Sequence, residues 1–282
     1  MEIVKKFYSL NCLFIFILTM FGFAFGEDID SRRFGNTGKK IGVISINTAS
    51  SELTPESFRI LTASGSNFID TSPFIPESEA FTAQNVGPSL RKNCLLSTRW
   101  KPDYAHNSEG FIGLFQKSIR NLNTNFIDCV IIDGVSELSD LQSNGILSAF
   151  SQLKKENKTK YLGVYIKDDK KDSFVKIIKY ILMSGNFDFI VLDYSISTFS
   201  SMQPIAELVG RQGLAVIASR TFEDSERNPS LARRIAGRKK LDLDTAVMQW
   251  SLSSSKWITS VLVVPSNTDK ITKITQGAIL EE

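Results

Sequence analysis

Short apolar runs recur along the chain, with amphipathic stretches between them. The runs are Gly42–Ile46, Asn67–Asp70, Cys94–Thr98, Asp128–Ile132, Tyr161–Ile166, Phe187–Leu192, Leu214–Ala218 and Ser260–Val264. They are rich in Val, Ile, Leu and Phe and lack a clean polar alternation, which is the pattern of parallel strands covered on both faces. Between them, Phe174, Ile177, Ile178, Ile181 and Leu182 repeat at the spacing of one helix face. Phe111, Phe115, Ile119 and Leu122 form a second stripe, and Ile146, Phe150 and Leu153 a third. Gly65, Gly185 and Gly213 each follow a helical segment, where a left-handed C-cap is wanted.

Eight strands alternating with helices predict an α/β fold with right-handed parallel connections, either a closed barrel or a doubly wound sheet. Successive strand starts lie about 25–35 residues apart, the size of one βα unit. Eight such units favour a (β/α)₈ TIM barrel, a single domain over residues 27–282. The last interval, Leu214 to Ser260, is longer. It holds a polar, basic stretch, Thr221–Arg238, and then an amphipathic run, Leu241–Trp257.

Residues 1–26 stand apart and read as a signal peptide. Lys5 and Lys6 precede a largely apolar stretch from Phe7 to Phe25, and Ala24 and Gly26 place small residues before a cleavage point at Glu27. This predicts a secreted protein, or one of the secretory-pathway lumen. The competing reading is an uncleaved membrane anchor, since the run is nearly long enough to span a bilayer. In an oxidising compartment Cys94 and Cys129 become a candidate pair. Strand parity sets them on opposite faces of the sheet if Arg99 and Asp133 both point inward, so two buried free thiols are expected. Asn157-Lys158-Thr159 is an N-glycosylation sequon in a polar stretch.

Composition narrows the picture further. Of 282 residues, 42% are hydrophobic and 22% charged, as in an ordinary globular protein. A disordered tail, a collagen-like chain and a polybasic nucleic-acid binder are excluded. A net charge of +3 names no partner, so an unidentified protein or small molecule remains the expectation. With one histidine, His106, and three cysteines, a His/Cys metal cluster is not expected.

In a parallel barrel, function sits at the C-terminal ends of the strands. Those ends, and the segments leading into them, resemble the aldo/keto reductases. Arg33-Phe34-Gly35-Asn36-Thr37-Gly38 is similar to the family's opening hairpin. Gly65 to Pro73, followed by Ser78-Glu79, resembles its second-strand motif, and the Ser72-Pro73 pair is most like the L-galactose dehydrogenase branch. Ser97-Thr98-Arg99, Ser118 to Asp128 and Lys160 to Val164 follow in the family's order. The resemblance implies a (β/α)₈ barrel that binds NADP(H) and reduces carbonyls. It also implies a tetrad: a Tyr proton donor, a Lys that lowers its pKa, an Asp that holds the Lys, and a His that orients the substrate.

Carried onto this chain, the Asp position is Asp70, the Tyr position Ile75, the Lys position Arg99 and the His position Asp133. Ile75 has no proton to give. An anion at Asp133 would disfavour a developing oxyanion. Arg has donors enough to serve both acids, so an Asp70–Arg99–Asp133 ion cluster is expected in place of a working site. The nicotinamide contacts are also altered, with Tyr165-Ile166 at the Ser-Asn pair and Asp193 near the stacking Tyr. Thr48, Arg220, Ser266 and Lys270 are the remaining candidates for holding the cofactor. The expectation is a catalytically inactive barrel with a binding or scaffolding role. The alternative is an active NADP(H)-dependent oxidoreductase whose general acid has moved to Tyr104, Tyr165, Tyr194 or His106.

Overall fold

The computed structural model describes residues 29–50, 52–142, 145–166, 171–237 and 240–279. The segment read as a signal peptide lies outside them. Among the described residues there are ten strands. β1 (Ser31–Arg33) and β2 (Lys40–Gly42) pair as an antiparallel hairpin. The other eight are β3 (Ile44–Asn47), β4 (Phe68–Asp70), β5 (Leu95–Trp100), β6 (Cys129–Val135), β7 (Tyr161–Ile166), β8 (Phe189–Asp193), β9 (Ala215–Ser219) and β10 (Ser260–Val263). These eight are parallel and close into a barrel, with β10 pairing both β9 and β3. Every expected strand is present, with ends shifted by at most three residues.

The helices begin where local chemistry favours a start. Thr54, Asn107, Asn228 and Asn267 each accept a backbone N–H at the first turn of the helix that follows. Pro55, Pro76, Pro88 and Pro229 occupy first-turn positions, where the missing N–H costs nothing. Gly65, Gly185 and Gly213 have φ of +102°, +65° and +85°, the backbone region expected for them after helices. The long interval after β9 holds two short helices, Glu223–Arg227 and Pro229–Ala236, before the helix Leu243–Ser254.

Because the strands are buried on both faces, there are two cores. Outward side chains such as Ile46, Leu96, Val130, Val164 and Ile190 pack beneath the helices. Inward side chains, among them Phe68, Leu95, Cys129, Ile131, Phe189 and Ile217, fill the barrel. Phe34, at the hairpin turn, belongs to the inner core. Its ring lies 5.0 Å from that of Phe189 and 5.7 Å from that of Phe68. The hairpin thus plugs the N-terminal end of the barrel. Gly35 allows this approach: a side chain there would sit 2.6 Å from the Gly213 carbonyl oxygen.

Cys94 lies in the outer core and Cys129 in the inner one, both as buried free thiols. Among the described residues no helix is long and apolar enough to cross a membrane.

Candidate functional site

Asp70 ends β4, Arg99 is the penultimate residue of β5, and Asp133 lies near the end of β6. The barrel brings all three to its C-terminal mouth. Arg99 donates from Nε and Nη2 to Asp70 Oδ2, at 2.9 and 2.6 Å. Its Nη1 donates to Asp133 Oδ1 at 2.9 Å. Ser97 Oγ donates to the other Asp70 oxygen at 2.7 Å. The Asp70 side chain is fully buried and that of Arg99 is 11% exposed. Burial alone would lower the Arg99 pKa, but the two carboxylates hold it above its ordinary value.

A β-bulge aims Asp133 at this partner. The β6–β7 register shifts between Asp133 and Val135, and Gly134 takes φ of +82°. Ile75 stands immediately before the helix Pro76–Asn85 in extended backbone, and its side chain makes no cap hydrogen bond.

Tyr165 extends the cluster along the mouth. The Arg99 guanidinium lies 5.7 Å from the centre of the Tyr165 ring. Tyr165 donates its hydroxyl proton to Asp193 Oδ1 at 2.9 Å. Burial and the Asp193 charge push its pKa up to about 12. That is the opposite of what a proton donor needs near neutral pH. Burial also raises the pKa of Asp193. The other candidate acids lie elsewhere: Tyr194 is buried with its hydroxyl 3.1 Å from Ser254 Oγ, whereas Tyr104 and His106 are exposed.

Arg220, Ser266 and Lys270 do share one cleft, of about 320 Å³, at the ends of β9 and β10. Arg220 takes φ of +56° and reaches Glu223 at 2.5 Å and Asp193 at 3.3 Å. Its hydrogen bonds to Glu223 raise its pKa. Lys270 pairs with Glu226 at 2.5 Å. Glu52 lines the same cleft. Thr48 is not in this lining: it is fully buried, donating to the Asp70 carbonyl at 3.0 Å and standing 3.1 Å from Ser78 Oγ and 3.0 Å from Thr82 Oγ1.

The residues present do not fit NADP(H). Each cation of the cleft is already held by a carboxylate, so a phosphate would meet acids at close range. At the neighbouring strand ends, the Tyr165 hydroxyl and Asp193 are already committed to each other. The sequence reading missed the role of Glu223 and Glu226. The Arg220/Glu223 pair at i, i+3 was the available signal. Among the described residues no His, Cys, Asp or Glu group could hold a metal.

No protein-family model and no curated protein matches the sequence. Solved structures do match. A Pseudomonas aeruginosa protein assigned as an aldo-keto reductase aligns over 90% of this chain and 97% of its own, with a TM-score of 0.70 and 15% identity. The holo form of an aldo-keto reductase from Bacillus halodurans aligns over 90% of this chain and 92% of its own, at a TM-score of 0.69 and 16% identity. The fold is that of the aldo-keto reductases. At this identity the likeness speaks for the architecture alone.

Proposed function

We propose that this protein is an aldo/keto reductase-like barrel of the secretory pathway that has lost reductase chemistry and serves in binding or scaffolding. The observation that carries the reading is the Arg99 guanidinium, shared between Asp70 and Asp133 where the reductases carry a Lys and a His. With Ile75 at the Tyr position, no acid faces a substrate carbonyl. Within the family, the Ser72-Pro73 pair is most like the L-galactose dehydrogenase branch, which supports that branch as the nearest in the proposed reading.

The mouth carries its own neutralising partners in place of a cofactor. Arg99 is held by two acids, and Arg220 and Lys270 are held by Glu223 and Glu226. A relocated acid finds little support, because the Tyr165 proton is committed to Asp193.

Two supporting features lie outside the barrel chemistry. Residues 1–26 have the layout of a cleaved signal, which gives a mature chain starting at Glu27. Asn157 is exposed in a turn at φ of +55°, accessible for a glycan. N-terminal sequencing and glycosidase treatment of the natural protein check both.

The direct test is NADP(H) binding to the purified protein by quenching of Trp fluorescence, run beside an assay of NADPH-dependent turnover on a broad carbonyl panel. Neither binding nor turnover is expected. Steady turnover would sink the reading.

A further inference from the structure

The two ends of the barrel treat charge in opposite ways. At the mouth the basic side chains of the cleft are matched by acids. At the N-terminal end a second cleft, of about 340 Å³, is lined by Lys39, Lys40, Arg91, Lys92 and Lys160. These come from the hairpin, from the helix Pro88–Asn93 and from the loop entering β7. One carboxylate, Asp128, lines this cleft among the described residues.

That carboxylate is already engaged. Asp128 Oδ2 lies 2.8 Å from Arg91 Nη1 and also accepts the Leu96 N–H at 3.0 Å. Arg91 Nη2 donates to the Phe126 carbonyl at 2.7 Å. Arg91 and Lys160 both stand against the Phe126 ring, 5.9 and 5.4 Å from its centre. Arg91 is therefore a fixed centre. Lys39, Lys40 and Lys92 are exposed around it, with no carboxylate partner among the described residues. Like charges gathered in one cleft repel each other, and a bound counter-anion relieves that repulsion.

We propose that this cleft binds a small ligand carrying two or more phosphate or sulfate ester groups. Its volume suits a ring-sized molecule. Lys39, Lys40 and Lys92, which have no carboxylate partner among the described residues, act as mobile point donors to oxyanions, while Arg91, engaged by Asp128 and the Phe126 carbonyl, holds the floor of the cleft in place. A single phosphate would meet only some of these cations. A nucleic-acid strand fits poorly, because Arg91 and Lys160 stand where a base would stack on Phe126. The proposal concerns the end of the barrel opposite the mouth, so it stands whether or not the mouth is inert.

The test titrates the purified full chain with inositol hexakisphosphate, sucrose octasulfate and inorganic phosphate, by calorimetry and thermal unfolding at physiological salt. At least one polyanion is expected to bind at one site per chain and to raise Tm, with inorganic phosphate weaker and binding falling as salt rises. A response to the phosphate ester alone, or to the sulfate ester alone, identifies the ester. Lys39→Glu with Lys92→Glu is expected to weaken binding by about tenfold or more. The charge-matched pair Lys176→Glu with Lys179→Glu, exposed on the helix Lys171–Ser184, is expected to leave it intact. No binding of either polyanion at millimolar concentration, or equal loss in both variants, overturns the proposal.

Discussion

Arg99 places Nε and Nη2 on a single oxygen of Asp70, at 2.9 and 2.6 Å, and so ties β5 to β4 at the barrel mouth. Its remaining reach goes to Asp133 on β6. One guanidinium thus spans three adjacent strands. This fixes the mouth without help from any ligand.

Removing that guanidinium is expected to strand a fully buried carboxylate. Arg99→Leu should cost about 3–5 kcal/mol, the usual penalty for breaking a buried pair from one side. Asp133→Asn should cost less, because Arg99 keeps Asp70. Arg99→Lys should fall between them, since one ammonium cannot reproduce the fork. Urea unfolding of the three variants gives the order. Arg99→Leu within about 1 kcal/mol of the parent would mean that the cluster is not structural.

Introducing a reductase tetrad should not confer reductase chemistry. Ile75→Tyr, Arg99→Lys and Asp133→His together put the reductase residue types at the positions that the proposed reading matches to the tetrad. The mouth would still carry Tyr165 hydrogen-bonded to Asp193. The mouth cleft of Arg220 and Lys270 would still carry Glu223 and Glu226 on its cations. NADPH turnover of the triple variant should therefore stay at background. Adding Tyr165→Ser, Glu223→Ala and Glu226→Ala should improve NADPH binding before any rate appears. Robust turnover by the triple variant alone would show that the cofactor site is intact.

The barrel was legible because its strands are buried on both faces and read as unbroken apolar runs. Parity along those runs also placed Cys94 outside and Cys129 inside. The Asp70–Arg99–Asp133 cluster followed from the resemblance to the reductase tetrad, which picked out the three positions, plus the donor count of Arg. What alternation cannot encode is which partner meets a side chain from a distant loop. Glu226 and Lys270 lie far apart in sequence, and their pairing depends on how two helices pack. Thr48 looked like a cofactor contact through its match to the reductase first-strand pattern, yet its hydroxyl is enclosed by Asp70, Ser78 and Thr82. The Lys cleft was invisible for the same reason. Its cations come from separate segments, and a net charge of +3 averages them against the acid-rich mouth.

Gly163 should be intolerant of even a methyl group. It lies on β7, and a side chain there would overlap the Phe189 ring. Phe189 in turn packs against Phe34 and Phe68 in the inner core, so it has little room to retreat. Gly163→Ala should destabilise by about 1–3 kcal/mol through overpacking. Phe189→Leu placed on top should recover part of that loss, although Phe189→Leu alone is destabilising. A double-mutant cycle by chemical denaturation measures the coupling. Independent, additive effects would place the strain elsewhere.

The two thiols should report on folding through alkaline pH. Burial raises the Cys94 pKa from an ordinary 9.0 to about 11, an effect only partly offset by Arg91. Burial shifts Cys129 in the same direction. Below pH 9 both states keep these protons, so the thiols add no pH dependence. Between about 9 and 11 the unfolded chain releases protons that the folded chain retains, and stability falls as pH rises. Cys94→Ala should make that decline shallower than in the parent, a comparison that cancels the lysines and tyrosines titrating nearby. At pH 8 a maleimide should label neither thiol in the native protein, and both in denaturant. Rapid native labelling of Cys129 would contradict its place inside the barrel.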